Sequence, residues 1–388
     1  MSREHIVDIV SVVFGGKGMG RIDGKVCFVS GALPGEKVRI RETRDTSGFV
    51  EGEILEMITP SIDRIAPACQ YYGTCGGCQY QHVKYDEEVV LKTSQIKDIF
   101  ARIAGIRDGL DPDIVPSDVD MGYRKSLTLH RTSKGAYGFY DMSGREVLEI
   151  KECRIAAKEL NDALGSLPDS CEAGDVTIKV DSEGKVWSSD VQGERFYLDD
   201  TGRGKLYMSP KAFSQANKYV ADKISQKLDD WTGDSGEDHV FFDPYCGVGF
   251  FTFFSGGGYT RKVGIDSSRI AIECAKSTAR TGNISDIKFY KGTAETVFFD
   301  IFAREKGKRN TVFLDPPRIG VKKEFLEKLA TAEGIDKIFY LSCDPSRLAR
   351  DIKVLISGGR WKCGRKAFFD MFPRTKHIEM LMELDRGI

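Results

Sequence analysis

The sequence predicts an α/β fold for its C-terminal half, a parallel sheet covered by helices, behind a small N-terminal β-barrel and a β-rich central region. Three observations carry that expectation. From about residue 204 short β-branched and aromatic runs alternate with helical periodicity, the order that builds a parallel sheet with helical crossovers. The first sixty residues are short strands separated by glycine turns, as in a small barrel. The length of 388 residues, at roughly 150 per domain, accommodates two or three cores. The predicted partition is 1–60 for the barrel, 61–203 for the central domain and 204–388 for the α/β domain.

Composition narrows the function classes. Lys and Arg number 57 against 58 Asp and Glu, a net charge of −1, which argues against nucleic-acid binding through the whole molecule's field but leaves room for a local basic groove. No run approaches about 18 uninterrupted apolar residues, so no membrane-spanning helix is expected. The longest candidate, 241–254, is broken by Asp243 and Pro244. The opening Met-Ser-Arg-Glu-His lacks a basic stretch followed by an apolar one, so the expectation is a cytoplasmic chain without a secretory leader. Ten cysteines in a reducing compartment must then be packing residues, metal ligands or nucleophiles rather than disulfides.

In chain order, strands are expected over 6–13, 25–30 and 36–44, with Lys17, Arg21, Lys37, Arg39, Arg41 and Arg44 along them. These are either solvated strand faces or the phosphate-facing side of an oligonucleotide-binding barrel. Cys69, Cys75 and Cys78 follow among glycines and tyrosines, then a helix over 87–103 that could pack on the α/β half. The strand-rich stretch to about 200 has turns at Ser133-Lys134-Gly135, Ser143-Gly144 and Ser182-Glu183-Gly184. Beyond it, strands are expected at 240–242, 262–265, 311–314 and 337–341, with helices over 217–228, up to Ala279, and from Lys323 and Ser346. Strands at 367–371 and 378–383 end the chain.

The first strand of the α/β half runs into Asp243-Pro244-Tyr245-Cys246-Gly247-Val248-Gly249. Gly247 and Gly249 after a strand let the backbone approach a ligand, and Asp266 at the next strand end can bind ribose hydroxyls. Thr252 stands where a dinucleotide fingerprint wants a third glycine, which favours S-adenosylmethionine over a nicotinamide cofactor. Asp315-Pro316-Pro317-Arg318 and Ser342-Cys343-Asp344-Pro345 occupy later strand ends, where ligands of open α/β sheets sit.

Methylating C5 of a pyrimidine needs a thiolate that adds to C6, making C5 nucleophilic, and a base that then removes the C5 proton. Cys343 lies just before a helix whose N-terminal field would lower a thiol pKa, and Glu379 starts the last strand.

With Phe213-Ser214-Gln215-Ala216-Asn217, the segment from Asp243, Asp315 to Arg318, Ser342 to Asp351, and Asp370 to Glu379 in this order, the chain resembles the class I RNA uracil-5-methyltransferases. The resemblance implies a Rossmann-like methyltransferase domain, Cys343 as nucleophile and Glu379 as base. It further implies cofactor contacts from Gln215, Tyr245 and Asp266, with Asp315 between cofactor and a uracil flipped out of its stack. The N-terminal segments Gly18-Met19-Gly20-Arg21 and Pro34-Gly35-Glu36 resemble the TRAM domain, implying RNA binding.

Cys69, Cys75 and Cys78 need a fourth ligand from afar, and Cys153 is the candidate. Spacing alone leaves zinc and an iron–sulfur cluster open. Resemblance to the ribosomal-RNA members of the family implies [4Fe–4S]. Cys27, Cys171, Cys246, Cys274 and Cys363 are read as packing residues. The expected partner is RNA, 23S ribosomal RNA before transfer RNA, with the chain acting as a monomer. The rivals are a non-catalytic RNA-binding module and an N-methyltransferase using the Asp-Pro-Pro motif alone.

Overall fold

A computed structural model of the chain describes residues 3–132, 135–167, 174–190, 196–233 and 238–387; the turn expected at Ser133-Lys134 and Cys171 lie outside the described residues. The chain forms two compact units, one of Met1–Asp98, His130–Ile155 and Phe372–His377, the other of Ile99–Leu129, Ala156–Met371 and Ile378–Ile388.

The first unit opens with the barrel. Its six strands are Glu4–Asp8, Ser11–Val13, Lys17–Ile22, Lys25–Ser30, Lys37–Asp45 and Phe49–Thr59. The expected strand over 6–13 is two. Asp8 pairs with Lys37, whereas Ser11 pairs with Met19, so one chain segment bridges both edges and closes the sheet. The break falls at Ile9, which exchanges hydrogen bonds with Glu36 and Gly35 instead. Val7, Ile9, Cys27, Val29, Val38, Ile40 and Val50 fill the interior from alternating positions. Gly20 is required there, because a Cβ would stand 2.4 Å from Val7 and 2.5 Å from the Asp8 carbonyl. The helix Tyr85–Ile99 follows the cysteine loop, and a π-turn over Phe100–Ala104 ends it at Gly105 in the left-handed region.

The second unit is built on an eight-stranded sheet. In spatial order its strands are Ile287–Lys291, Arg261–Asp266, His239–Asp243, Arg309–Leu314, Lys337–Ser342, Glu379–Arg386, Trp361–Phe369 and Asp113–Val115. The first five are parallel; Glu379–Arg386 runs antiparallel to both neighbours. His239–Asp243 is buried at every position, as a central parallel strand should be. Strand order reverses on either side of it, where open α/β sheets bind ligands. Helices Lys218–Thr232, Arg269–Thr281 and Pro345–Ile356 begin on Asn217, Ser268 and Asp344, whose side chains accept backbone N–H bonds. The α/β expectation with a terminal strand pair is met; that antiparallel pair extends the five parallel strands, and Asp113–Val115 lies beyond it at the edge. Among the described residues no helix is long and apolar enough to cross a membrane.

Candidate functional site

At the carboxyl edge of the sheet, local rules set each side chain. After Asp243 the chain turns tightly, with Gly249 N–H donating to the Cys246 carbonyl at 2.8 Å. Gly249 has φ 91°, and a Cβ there would meet the Phe253 ring at 2.9 Å. Gly247 donates its N–H to Asp266 Oδ2 at 2.9 Å, and Ser268 N–H donates to Asp266 Oδ1 at 2.7 Å, which locks that acid at its strand end. Asp266 and Gly247 are thus joined directly, and Gly249 belongs to the same turn through its bond to Cys246. Tyr245 lies half-buried in the same turn, near Glu295, its phenol pushed up by burial.

Thr252 explains its departure from the glycine fingerprint. Its hydroxyl donates to Asp243 Oδ2 at 2.7 Å in the buried interior. Asp243 is pushed up to about 8 by burial, against the Thr252 bond, with Asp315 and Asp266 adding to the rise. Sequence reasoning treated Asp243 only as a strand end; an acid between a buried strand and a proline was the signal available.

Asp315 follows Arg309–Leu314 directly and accepts from Gln215 Nε2 at 3.4 Å. Burial pushes it up to about 7, the Gln215 bond opposing. Cys343 follows Lys337–Ser342, and the ladder's last pair is Ser342 with Met380. Cys343 and Glu379 are the next residues outward on those two strands, so an antiparallel register brings together residues far apart in sequence.

Cys343 departs from expectation. Its thiol is pushed up to about 12, by burial first and then by Glu379, with Asp315 and Asp344 adding and Arg318 opposing. The helix N-terminus does not lower it because Asp344 accepts both the Ser346 and Arg347 N–H groups, at 2.8 and 3.1 Å. Glu379, 6% exposed, is held well above the carboxylate range by burial and Asp315, and Arg318 opposes this. Arg318, exposed on the Asp-Pro-Pro turn, thus favours the ionised form of both groups; its place in the motif was visible in the sequence, its role was not.

Asp243, Asp315 and Glu379 are three acids whose ionisation is disfavoured in one buried region, a donor set that suits a cationic ligand. S-adenosylmethionine, with its sulfonium, fits that field; of the residues expected to contact it, Gly247 bonds to Asp266 and Gln215 to Asp315.

The four cysteines predicted to ligate lie in the first unit. Cys75 N–H donates to the Tyr71 carbonyl at 2.8 Å, and Lys151 N–H donates to the Tyr71 hydroxyl at 3.1 Å, so the turn carrying Cys153 meets the turn carrying Cys75. Cys69 N–H donates to Gln81 Oε1 at 3.1 Å. Cys78 is pushed up to about 12, chiefly by burial, with Cys153, Cys75 and Cys69 adding in that order. None of the four is in a disulfide, and the other three lie within electrostatic range of Cys78. Among the described residues no three His, Cys, Asp or Glu side chains stand close enough to hold a single metal ion.

The barrel's basic residues are already engaged. Lys17, Lys37, Arg39 and Arg41 pair with Glu51, Asp8, Glu56 and Glu53, while Arg21 donates to the Gly24 carbonyl and Arg44 lies over Phe49. Exposed pairs of this kind contribute about 0–1 kcal/mol, so a phosphate can displace the carboxylate.

Two family profiles match the chain: tRNA (uracil-5-)-methyltransferase over residues 175–386 and the TRAM domain over residues 6–55. An uncharacterized RNA methyltransferase of Thermotoga maritima is 26% identical and covers 98% of this chain and 99% of its own. The 23S rRNA (uracil(1939)-C(5))-methyltransferase RlmD of a Marinomonas species is 28% identical, over 95% of this chain and 92% of its own. The crystal structure of Pyrococcus abyssi tRNA (uracil-54, C5)-methyltransferase with S-adenosyl-L-homocysteine superposes with a TM-score of 0.72 at 21% identity, covering 97% of this chain and all of that one.

Proposed function

Because the chain belongs to the tRNA (uracil-5-)-methyltransferase family, we propose that it methylates C5 of one uridine in 23S ribosomal RNA, with Cys343 as nucleophile and Glu379 as base. The observation that carries the reading is the register that leaves Cys343 and Glu379 next to one another beyond Ser342 and Met380, with Asp315 and Arg318 facing both. S-adenosylmethionine supplies an electrophilic methyl group when bound.

The chain's own residues do the rest. Cys343 loses its proton to water, its thiolate sulfur adds to C6 of a uracil flipped into the site, and the C5–C6 electron pair moves onto C5 and O4 as an enolate, making C5 nucleophilic. After C5 is methylated, Glu379 takes the C5 proton; the electron pair restores the C5–C6 double bond and expels the Cys343 thiolate. Asp315, held by Gln215, stands where it can orient the base or the cofactor, and Arg318 favours the ionised forms of Cys343 and Glu379 as the steps require them.

Residues 1–60 supply RNA contacts and 204–388 the chemistry in this reading. Cys69, Cys75, Cys78 and Cys153 hold a [4Fe–4S] cluster. Cys153, Cys75 and Cys69 all act on the buried Cys78, which brings the four thiols into one electrostatic neighbourhood, and the preference for a cluster over zinc rests on the resemblance to the ribosomal-RNA members of the family. Its contribution is structural, because the methyl transfer needs no electron. The preference for ribosomal RNA rests on relatives named for 23S RNA that match nearly the whole chain.

The test is mapping of 5-methyluridine in 23S and transfer RNA from cells with and without the gene, together with methylation of both RNAs by purified protein. One 23S uridine that loses its methyl group bears the reading out. A loss confined to transfer RNA replaces the substrate, and no loss in either overturns the function.

A further inference from the structure

In the second unit, the loop that carries Asp315 ends in a turn whose composition breaks the ordinary rule. Gly320 N–H donates to the Pro317 carbonyl at 2.8 Å, which makes Arg318 and Ile319 the two central residues of a four-residue turn. Turns favour Gly, Pro, Asn, Asp and Ser, yet a β-branched apolar residue stands at the second central position. Ile319 is 68% exposed, although Val321, two residues on, is buried.

The turn is held from both sides. Before it, Asp315 accepts from Gln215, and two prolines restrict the backbone. After it, Val321 N–H donates to Asp351 Oδ2 at 3.2 Å, and the Val321 carbonyl accepts from Arg350 Nη2 at 3.3 Å. Asp351 is itself fully buried and accepts from the Tyr340 hydroxyl and from Arg350 Nε, each at 2.6 Å. All of these residues belong to the second unit. A rigid turn thus presents a stiff side chain, branched at Cβ, that has little rotamer freedom to lose when it is covered.

The position of the turn limits what covers it. Arg318, its other central residue, acts electrostatically on both Cys343 and Glu379, so the turn stands at the edge of the site that a base must enter. Phe213, 69% exposed, lies two residues before Gln215, whose bond to Asp315 joins its segment to this one. Among the described large apolar residues of the second unit these two are the most exposed. Apolar residues scattered singly over a surface need no explanation; two of them on joined segments beside a reaction site do. Moving a uracil out of its stack uncovers the faces of the bases on either side, and an aliphatic side chain such as isoleucine is a fitting wedge between base steps.

We propose that Ile319 is a wedge that enters the gap left by the flipped uridine and covers the neighbouring bases, holding the RNA open while the uracil is methylated. Ile319 touches the RNA and not the reacting atoms. The inference rests on the reading of the chain as an RNA uracil-5-methyltransferase. It makes Ile319 matter in proportion to the cost of flipping.

The experiment uses the full chain, S-adenosylmethionine and two synthetic RNA hairpins built around the mapped uridine. In one the uridine is paired with adenosine; in the other it faces an abasic site and leaves its stack at little cost. Single-turnover methyl incorporation is measured for wild-type protein, Ile319→Ala and Ile319→Leu. Ile319→Ala should slow methylation of the paired hairpin by about 10–10²-fold, the worth of covering one large aliphatic side chain. The same variant should leave the abasic-opposed hairpin and the KM for S-adenosylmethionine near wild type. Ile319→Leu, apolar and of the same volume, should stay near wild type on both hairpins. Equal slowing of both hairpins by Ile319→Ala, or no slowing of the paired one, overturns the wedge, as does a leucine variant as slow as the alanine one. Methylation of neither hairpin by wild-type protein overturns the reading of function on which the wedge rests.

Discussion

Cys78 in the first unit and Cys343 in the second are both pushed up to about 12, and burial is the largest cause in each. Their neighbours separate them. Cys78 faces three other thiols, whereas Cys343 faces Glu379, Asp315 and Asp344, with Arg318 the opposing cation. Thiols gathered together are relieved when a metal centre takes the place of their protons. A thiol among carboxylates is relieved by a cation or by an electrophile arriving beside it. Equal perturbation therefore accompanies two chemistries, and the facing groups distinguish them.

The sharpest way to break that comparison is to remove each sulfur. Cys343→Ala should lower uracil C5 methylation by on the order of 10⁴-fold or more while cofactor binding by calorimetry stays near wild type. Methylation retained in that variant would sink the nucleophile assignment and leave N-methylation as the alternative. Glu379→Gln should lower turnover by about 10²–10⁴-fold and accumulate a protein–RNA adduct, since methylation precedes the step that needs the base.

Cys78→Ser tests the other side. Iron and acid-labile sulfide should both be lost on chemical analysis, and the thermal midpoint should fall by about 4–8 °C for a loss of about 2 kcal/mol. Zinc found in place of iron in anaerobically purified wild-type protein would overturn the cluster.

The smallest expected effect is on stability against pH. Asp243 and Asp315 have folded-state pKa values of about 8 and about 7, above those of free carboxylates. The folded chain holds their protons where the unfolded chain has lost them, so stability falls as pH rises toward and through those values. Denaturation without cofactor should show this decline between about pH 5 and pH 8. Asp243→Asn should flatten it, and S-adenosylmethionine, whose sulfonium favours the ionised acids, should reduce it. A stability that rises with pH across that window would contradict the buried-acid account.

Much of this was legible in the chain. The alternation after residue 204, the glycine turn with Asp266, the two strand-end motifs and the basic barrel strands follow from local periodicity and turn chemistry. The wrongly joined strand over 6–13 shows the limit of periodicity, for closing a barrel requires a break that hydrophobic spacing does not mark. The expected lowering of the Cys343 pKa failed for a related reason. A helix N-terminus was visible, but not that Asp344 already occupies its N–H groups and that Glu379 and Asp315 face the sulfur.

The sequence by itself determined the kinds of element, the residues able to do thiol and carboxylate chemistry, and the order of the motifs. Tertiary structure alone decided which of them meet. Cys343 and Glu379 adjoin because one strand enters the sheet antiparallel, and Glu88 grips Arg374 across 286 residues of chain. Propensities act over a few residues and leave a trace in the sequence; the electrostatic environment of a buried group is made by its neighbours in space, which that trace does not record.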